Sequence, residues 1–102
     1  TKKVAYWGDI DSEGLAMLSD ARRKCPNIHS IMMDKTTYDL YENSRGDEPI
    51  FTKSVPEFLR KEETELFDFI AQQEINQRRL EQEFIAQDYM IAELHKWLLT
   101  NI

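Results

Sequence analysis

Apolar and polar positions along this chain switch between two periods, and each switch marks an element. Residues 3–8, Lys3-Val4-Ala5-Tyr6-Trp7-Gly8, form a short apolar and aromatic run, which predicts a strand covered on both faces. From Ser12 to about Lys24, Leu15, Leu18, Ala21 and Cys25 recur at helical spacing. This predicts a helix that Pro26-Asn27 ends. Ile28 to Met33 is a second apolar run and reads as another strand. Strand, helix and strand of these lengths make a βαβ unit, normally a right-handed parallel crossover.

Beyond the second strand the pattern becomes helical. Asp34 stands where it could join a polar rim at the strand ends, and equally where it would cap a short helix through Thr36–Tyr41; the cap is the favoured reading. Residues 44–56 carry turn chemistry and break the periodicity, so they read as a loop, and the Arg45-Gly46-Asp47 triplet inside it is coincidental. Ser54-Val55-Pro56-Glu57 has capping-box spacing, so the next helix starts there or near Lys61. Its apolar stripe is Leu66, Phe67 and Ile70, and it ends around Gln73. Residues 74–79 are polar and read as a connection. A last helix runs from about Gln87 to Leu99, with Met90, Ile91, Leu94, Trp97 and Leu98 as a stripe expected to pack against the sheet.

Composition narrows the class. The chain has 102 residues, 41% apolar and 31% charged, which bounds it to one small soluble domain. No run approaches the roughly 18 apolar residues of a membrane span, and no signal segment opens the chain. Cys25 is the single cysteine, so no internal disulfide can form. That favours a reducing cytoplasm; the thiol itself reads as a small core hydrophobe. His29 and His95 lie far apart and show no zinc spacing. The net charge of −6 argues against a free-standing nucleic-acid binder, because backbone binding relies on basic surface. Local basic clusters remain at Arg22-Arg23-Lys24 and Arg78-Arg79; the first is read as complementing the carboxyl end of its helix dipole.

The candidate chemistry sits at the end of the first strand. Asp9 and Asp11 are two apart, so in a continuing strand they share a face, at the rim where open α/β sheets bind ligands. Two such oxygen ligands suit Mg²⁺, which takes one or two carboxylates and keeps several waters. The alternative is an Asp-rich turn in which Asp11 is only the N-cap of the next helix.

The run Gly8-Asp9-Ile10-Asp11-Ser12-Glu13-Gly14 resembles the Asp-x-Asp-Pro-x-Gly motif of Toprim domains in the topoisomerase VI A-subunit family. It looks closest to the branch that contains JetD, the nuclease subunit of the Wadjet bacterial anti-plasmid system. Arg79-Leu80-Glu81-Gln82-Glu83 resembles the Arg-Leu-Glu-Gln-Glu block near the C-terminus of that family. Ile31-Met32-Met33-Asp34 and Leu59-Arg60-Lys61-Glu62-Glu63 fall where the family has similar blocks. Ser12 departs from the family's Pro, a change a first helical position accommodates.

The resemblance implies a partial Toprim-like (Rossmann-like) α/β fold: a parallel sheet with flanking helices and a helical C-terminal part. Residues 1–102 would be the C-terminal part of a Toprim domain, lacking an upstream strand whose glutamate completes the site. It implies a DNA endonuclease using Mg²⁺ or Mn²⁺, with Asp9 and Asp11 as metal ligands. Double-stranded DNA, SMC-like Wadjet subunits and a second copy of the full-length protein are the implied partners. The isolated chain would be inactive. Glu81 and Glu83 would share a face in an extended segment and either join the catalytic acidic pocket or form a solvated charged face. Arg79 would contact phosphate or pair with a carboxylate. Two other classes stay open. A phosphatase of the haloacid dehalogenase type would need Gly-Thr after its Asp-x-Asp, where this chain has Ser12-Glu13-Gly14. A non-catalytic protein-interaction module would account for the acidity.

Overall fold

In a computed structural model the chain is a mixed α/β domain, described over residues 4–51 and 54–100. Strand β1 (Val4–Tyr6) leads to helix α1 (Ser12–Lys24), strand β2 (Ile28–Ser30) and helix α2 (Lys35–Leu40). Helices α3 (Lys61–Ala71) and α4 (Gln87–Thr100) follow, with single 3-10 turns at Glu42–Ser44, Ile75–Gln77 and Gln82–Phe84. β1 and β2 pair in parallel, Val4 against Ile28 and Tyr6 against Ser30, so the βαβ unit is formed as the periodicity predicts.

Both strands are shorter than their apolar runs. β2 stops at Ser30 because Met32 adopts a left-handed backbone (φ 58°), which a strand cannot continue and which costs a residue with a Cβ about 1–2 kcal/mol. The expectation that β1 is covered on both faces is corrected. Val4 is 41% exposed and Ala5 is exposed as well. β1 is an edge strand of a two-stranded sheet among the described residues, and α1 packs on α3 and β2.

The core fills the space between β2, α1, α2 and α3. Leu15 and Leu18 of α1, Tyr38 of α2, and Leu66, Phe67 and Ile70 of α3 are all buried in it, together with Ile10, Ile31, Met33, Leu80 and Ile85. α3 starts at Lys61 and not at Ser54. The Glu63 carboxylate accepts from the backbone N–H of Arg60 at 2.7 Å, satisfying a donor the first turn leaves open. Asp34 caps α2, accepting from the Thr37 N–H at 2.8 Å.

α4 departs from its expected role. Met90, Leu94 and Trp97 pack against the core, but Ile91 and Leu98 are 46% and 50% exposed. Only one edge of the stripe is used. The helix is pinned at its start by Tyr89, whose hydroxyl shares a 2.8 Å hydrogen bond with Thr37 Oγ1, and further along by the Trp97 ring edge-on to His29.

The polar segment 74–80 is more than a connection. Tyr38 donates to the carbonyls of Gln77 and Arg78. Leu80 exchanges backbone hydrogen bonds with Ile10, and Arg79 does so with Gly46. Arg22, Arg78 and Arg79 of the basic clusters are engaged internally, while Arg23 and Lys24 stay exposed beside Asp20. Arg22 is buried against Glu63, Arg78 donates to the carbonyls of Gln73 and Glu48, and Arg79 reaches Asp11. Arg45 is buried over the Tyr38 ring at 4.0 Å, so the Arg-Gly-Asp triplet is not displayed. Cys25 is a half-buried free thiol packed against the core.

Candidate functional site

Three backbone segments meet at the carboxyl end of β1. Residues 7–11 leave the strand, Gly46 turns past them, and residues 79–80 are stitched between the two by the Ile10–Leu80 and Gly46–Arg79 bridges. Ile10 points into the core and is fully buried. Its neighbours Asp9 and Asp11 therefore border the opposite side, where a cleft of about 470 Å³ opens. The cleft is walled by Tyr6, Trp7, Met17 and Gln82 and by four acidic side chains, Asp9, Asp11, Glu13 and Glu83.

The two aspartates are held differently. Asp9 is partly exposed; its Oδ1 accepts from the Gln82 backbone N–H at 2.8 Å, and its second oxygen has no hydrogen bond among the described residues. Asp11 is only 3% exposed. Its Oδ1 accepts from the Gly14 N–H at 2.6 Å, capping α1, and its Oδ2 accepts from Arg79 Nε at 2.7 Å. The N-cap reading of Asp11 is thus realised, beside a basic partner. Gly14 has a steric reason: a Cβ there would run into the Asp9 carbonyl oxygen and approach Asp11 Oδ1 at 3.0 Å. The motif's glycine lets helix and carboxylates close up.

Arg79 is a third exposed on its side chain. Burial works against its charge, but Asp11, Glu48 and Glu13 outweigh that and raise its pKa. Arg79 borders the two hollows behind the cleft and is absent from the cleft wall. Glu81 goes with it into one of those hollows, beside Ser44, Gly46, Asp47 and Phe84. Glu81 and Glu83 part company because Gln82–Phe84 is a 3-10 turn, so the alternation of an extended segment does not apply. Only Glu83 of that pair reaches the cleft.

Glu48 is a residue the sequence does not reveal. It is 1% exposed, and its carboxylate accepts from the Ser12 backbone N–H at 3.0 Å and Ser12 Oγ at 2.6 Å. Two carboxylates, Asp11 and Glu48, thus satisfy the first donors of α1. In the sequence Glu48 is one polar residue among several in a turn-rich loop, with no periodic signal to mark it.

Among the described residues, no three potential ligands converge into a ready-made metal cage. The donor chemistry nevertheless fits a hard cation bound through few carboxylates and several waters. Asp9 has an uncommitted oxygen, and Asp11 retains acceptor capacity beyond its two hydrogen bonds.

A family model for the Wadjet protein JetD, C-terminal, matches residues 1–94 of this chain. No curated protein matches it.

Proposed function

The chain belongs to the Wadjet JetD C-terminal family, and on that premise we propose that it supplies the Asp-x-Asp cation site of a Toprim-type DNA endonuclease. The parent protein would act in the cytoplasm in bacterial anti-plasmid defence, as a homodimer cutting double-stranded DNA presented by SMC-like Wadjet components. No described helix is long and apolar enough to cross a membrane. The observation that carries the reading is the meeting of two distant blocks on one acidic cleft: Asp9 and Asp11 from the end of β1, Glu83 from the segment bound to Ile10.

In this reading Asp9 and Asp11 hold Mg²⁺ or Mn²⁺, which when bound polarises a phosphoryl group and lowers the pKa of its water. The chain's own residues do the positioning. Gly14 N–H and Arg79 Nε fix the Asp11 carboxylate from two sides, and the Gln82 N–H orients Asp9. Arg79 borders the hollow next to the cleft, where its guanidinium would also reach a flanking phosphate. Glu83 adds negative charge to the cleft wall; Glu81 stands beside Arg79 outside it.

One observation favours a purely structural role for Asp11, as in a non-catalytic interaction module: it is buried, caps α1 and pairs with Arg79. The two readings separate at Asp9, which has a single hydrogen bond. In the full-length protein, Asp9→Ala is expected to abolish plasmid linearisation with Mg²⁺ and with Mn²⁺ while unfolding at the wild-type urea midpoint. Undiminished cutting would sink the nuclease assignment.

A further inference from the structure

An acidic cleft that receives a phosphodiester needs hydrogen-bond donors as well as a cation, because carboxylates only accept. The walls of this cleft carry few. Asp9, Asp11, Glu13 and Glu83 are acceptors, and the Trp7 indole Nε1 is buried away from the open space without a partner among the described residues. The Gln82 backbone N–H is already committed to Asp9. The exposed Gln82 side-chain amide is one remaining donor, and the other is Tyr6. It ends β1, three residues before Asp9, and lines the cleft. Its hydroxyl has no hydrogen bond among the described residues.

The ring lies over the Gly8 backbone. A Cβ on residue 8 would stand 3.2 Å from the Tyr6 hydroxyl oxygen and 3.4 Å from ring carbon Cε1. Gly8 therefore gives the ring the room it needs to bring its hydroxyl to the cleft. Burial, followed by the charges of Asp11 and Asp9, pushes the Tyr6 phenol above its ordinary value. Phenols are protonated at neutral pH in any case, so the group is a donor and not a phenolate nucleophile.

We propose that Tyr6 contacts the nucleic-acid backbone, its hydroxyl donating a hydrogen bond to a phosphate oxygen beside the Asp9–Asp11 pair. The inference rests on the reading of the cleft given above and extends it to a residue outside the acidic motif. Tyr6 here binds and orients; it forms no covalent bond.

The test uses the full-length protein with Tyr6→Phe and, in parallel, Asp9→Ala. Duplex DNA binding is followed by fluorescence anisotropy with Ca²⁺ in place of Mg²⁺, and plasmid cutting is followed in Mg²⁺. Loss of a hydrogen bond to a charged oxygen predicts binding weaker, or kcat/KM lower, by about tenfold or more for Tyr6→Phe, at an unchanged urea midpoint. Wild-type binding and cutting by Tyr6→Phe, alongside a dead Asp9→Ala, would overturn the Tyr6 inference and leave the cleft reading standing. Wild-type cutting by Asp9→Ala would remove the cleft reading, and the role of Tyr6 with it. A Tyr6→Phe protein whose urea midpoint falls together with its binding would mark the hydroxyl as structural, which also overturns the proposal.

Discussion

Two arginine–carboxylate pairs sit at opposite ends of α1, and they are built in opposite ways. Near the carboxyl end, Arg22 grips Glu63 through both terminal guanidinium nitrogens at 2.5 and 3.0 Å, with both side chains buried. The carboxylate is saturated, because Ser30 Oγ and Arg60 N–H also donate to it, and Arg22 further donates to the carbonyls of Ile28 and Phe58. At the amino end, Arg79 touches Asp11 through Nε alone, with its side chain a third exposed beside a solvent-open cleft. The closed pair joins α1, β2 and α3, and its burial leaves it closed to a ligand. The open pair leaves acceptor capacity on Asp9 and Asp11 and donor capacity on Arg79. Saturation marks the pair that holds the fold, and spare valence marks the one that can do chemistry.

Breaking the closed pair should cost most. Glu63→Ala strands a buried guanidinium and is expected to destabilise by about 3–5 kcal/mol, read as a large fall in the urea midpoint. Acid probes the same pair without mutation. Burial pushes the Glu63 carboxyl up, but hydrogen bonds from Arg22, Ser30 and the Arg60 N–H prevail and hold it below its ordinary 4.5. A depressed folded-state pKa gives stability that is present above the unfolded value and lost as pH falls through the folded one. The urea midpoint should therefore begin to drop near pH 4.5 and continue downward, and Glu63→Gln should flatten that slope.

Gly14→Ala comes next. The new methyl group meets the Asp9 carbonyl, which is backbone and cannot swing aside, so about 1–3 kcal/mol is expected. The loss should bring weaker divalent binding, because the aspartates move with the turn. Arg79→Met sharpens the comparison further. Its partial exposure limits the stability change to about 1 kcal/mol, while removal of a competing cation from Asp11 should tighten Mn²⁺ binding in a calorimetric titration. A fall in stability as large as that of Glu63→Ala would erase the distinction between the two pairs. At the small end, Asp39→Ala breaks the exposed Lys35–Asp39 pair and should change the unfolding free energy by no more than about 0.5 kcal/mol.

The sequence by itself determined the local elements and the place of the acidic motif. Apolar residues three and four apart set α1 from Ser12 to Lys24, and the runs on either side set a parallel pair of strands. Asp34 and Asp11 carry cap chemistry that acts over three residues, so both caps were legible. The starts and stops set by long-range contact were not. β2 ends early at the left-handed Met32, β1 stays open on its outer side, and Ile91 and Leu98 of the α4 stripe face solvent. Only the tertiary structure could decide which carboxylates gather at the cleft. Glu83 is brought there, and Glu81 kept out, by the Leu80–Ile10 bridge and a 3-10 turn, while Glu48 arrives from a loop with no periodicity. Hydrogen bonds between residues tens of positions apart leave no mark in spacing, because chain separation says nothing about which backbone segments will lie side by side.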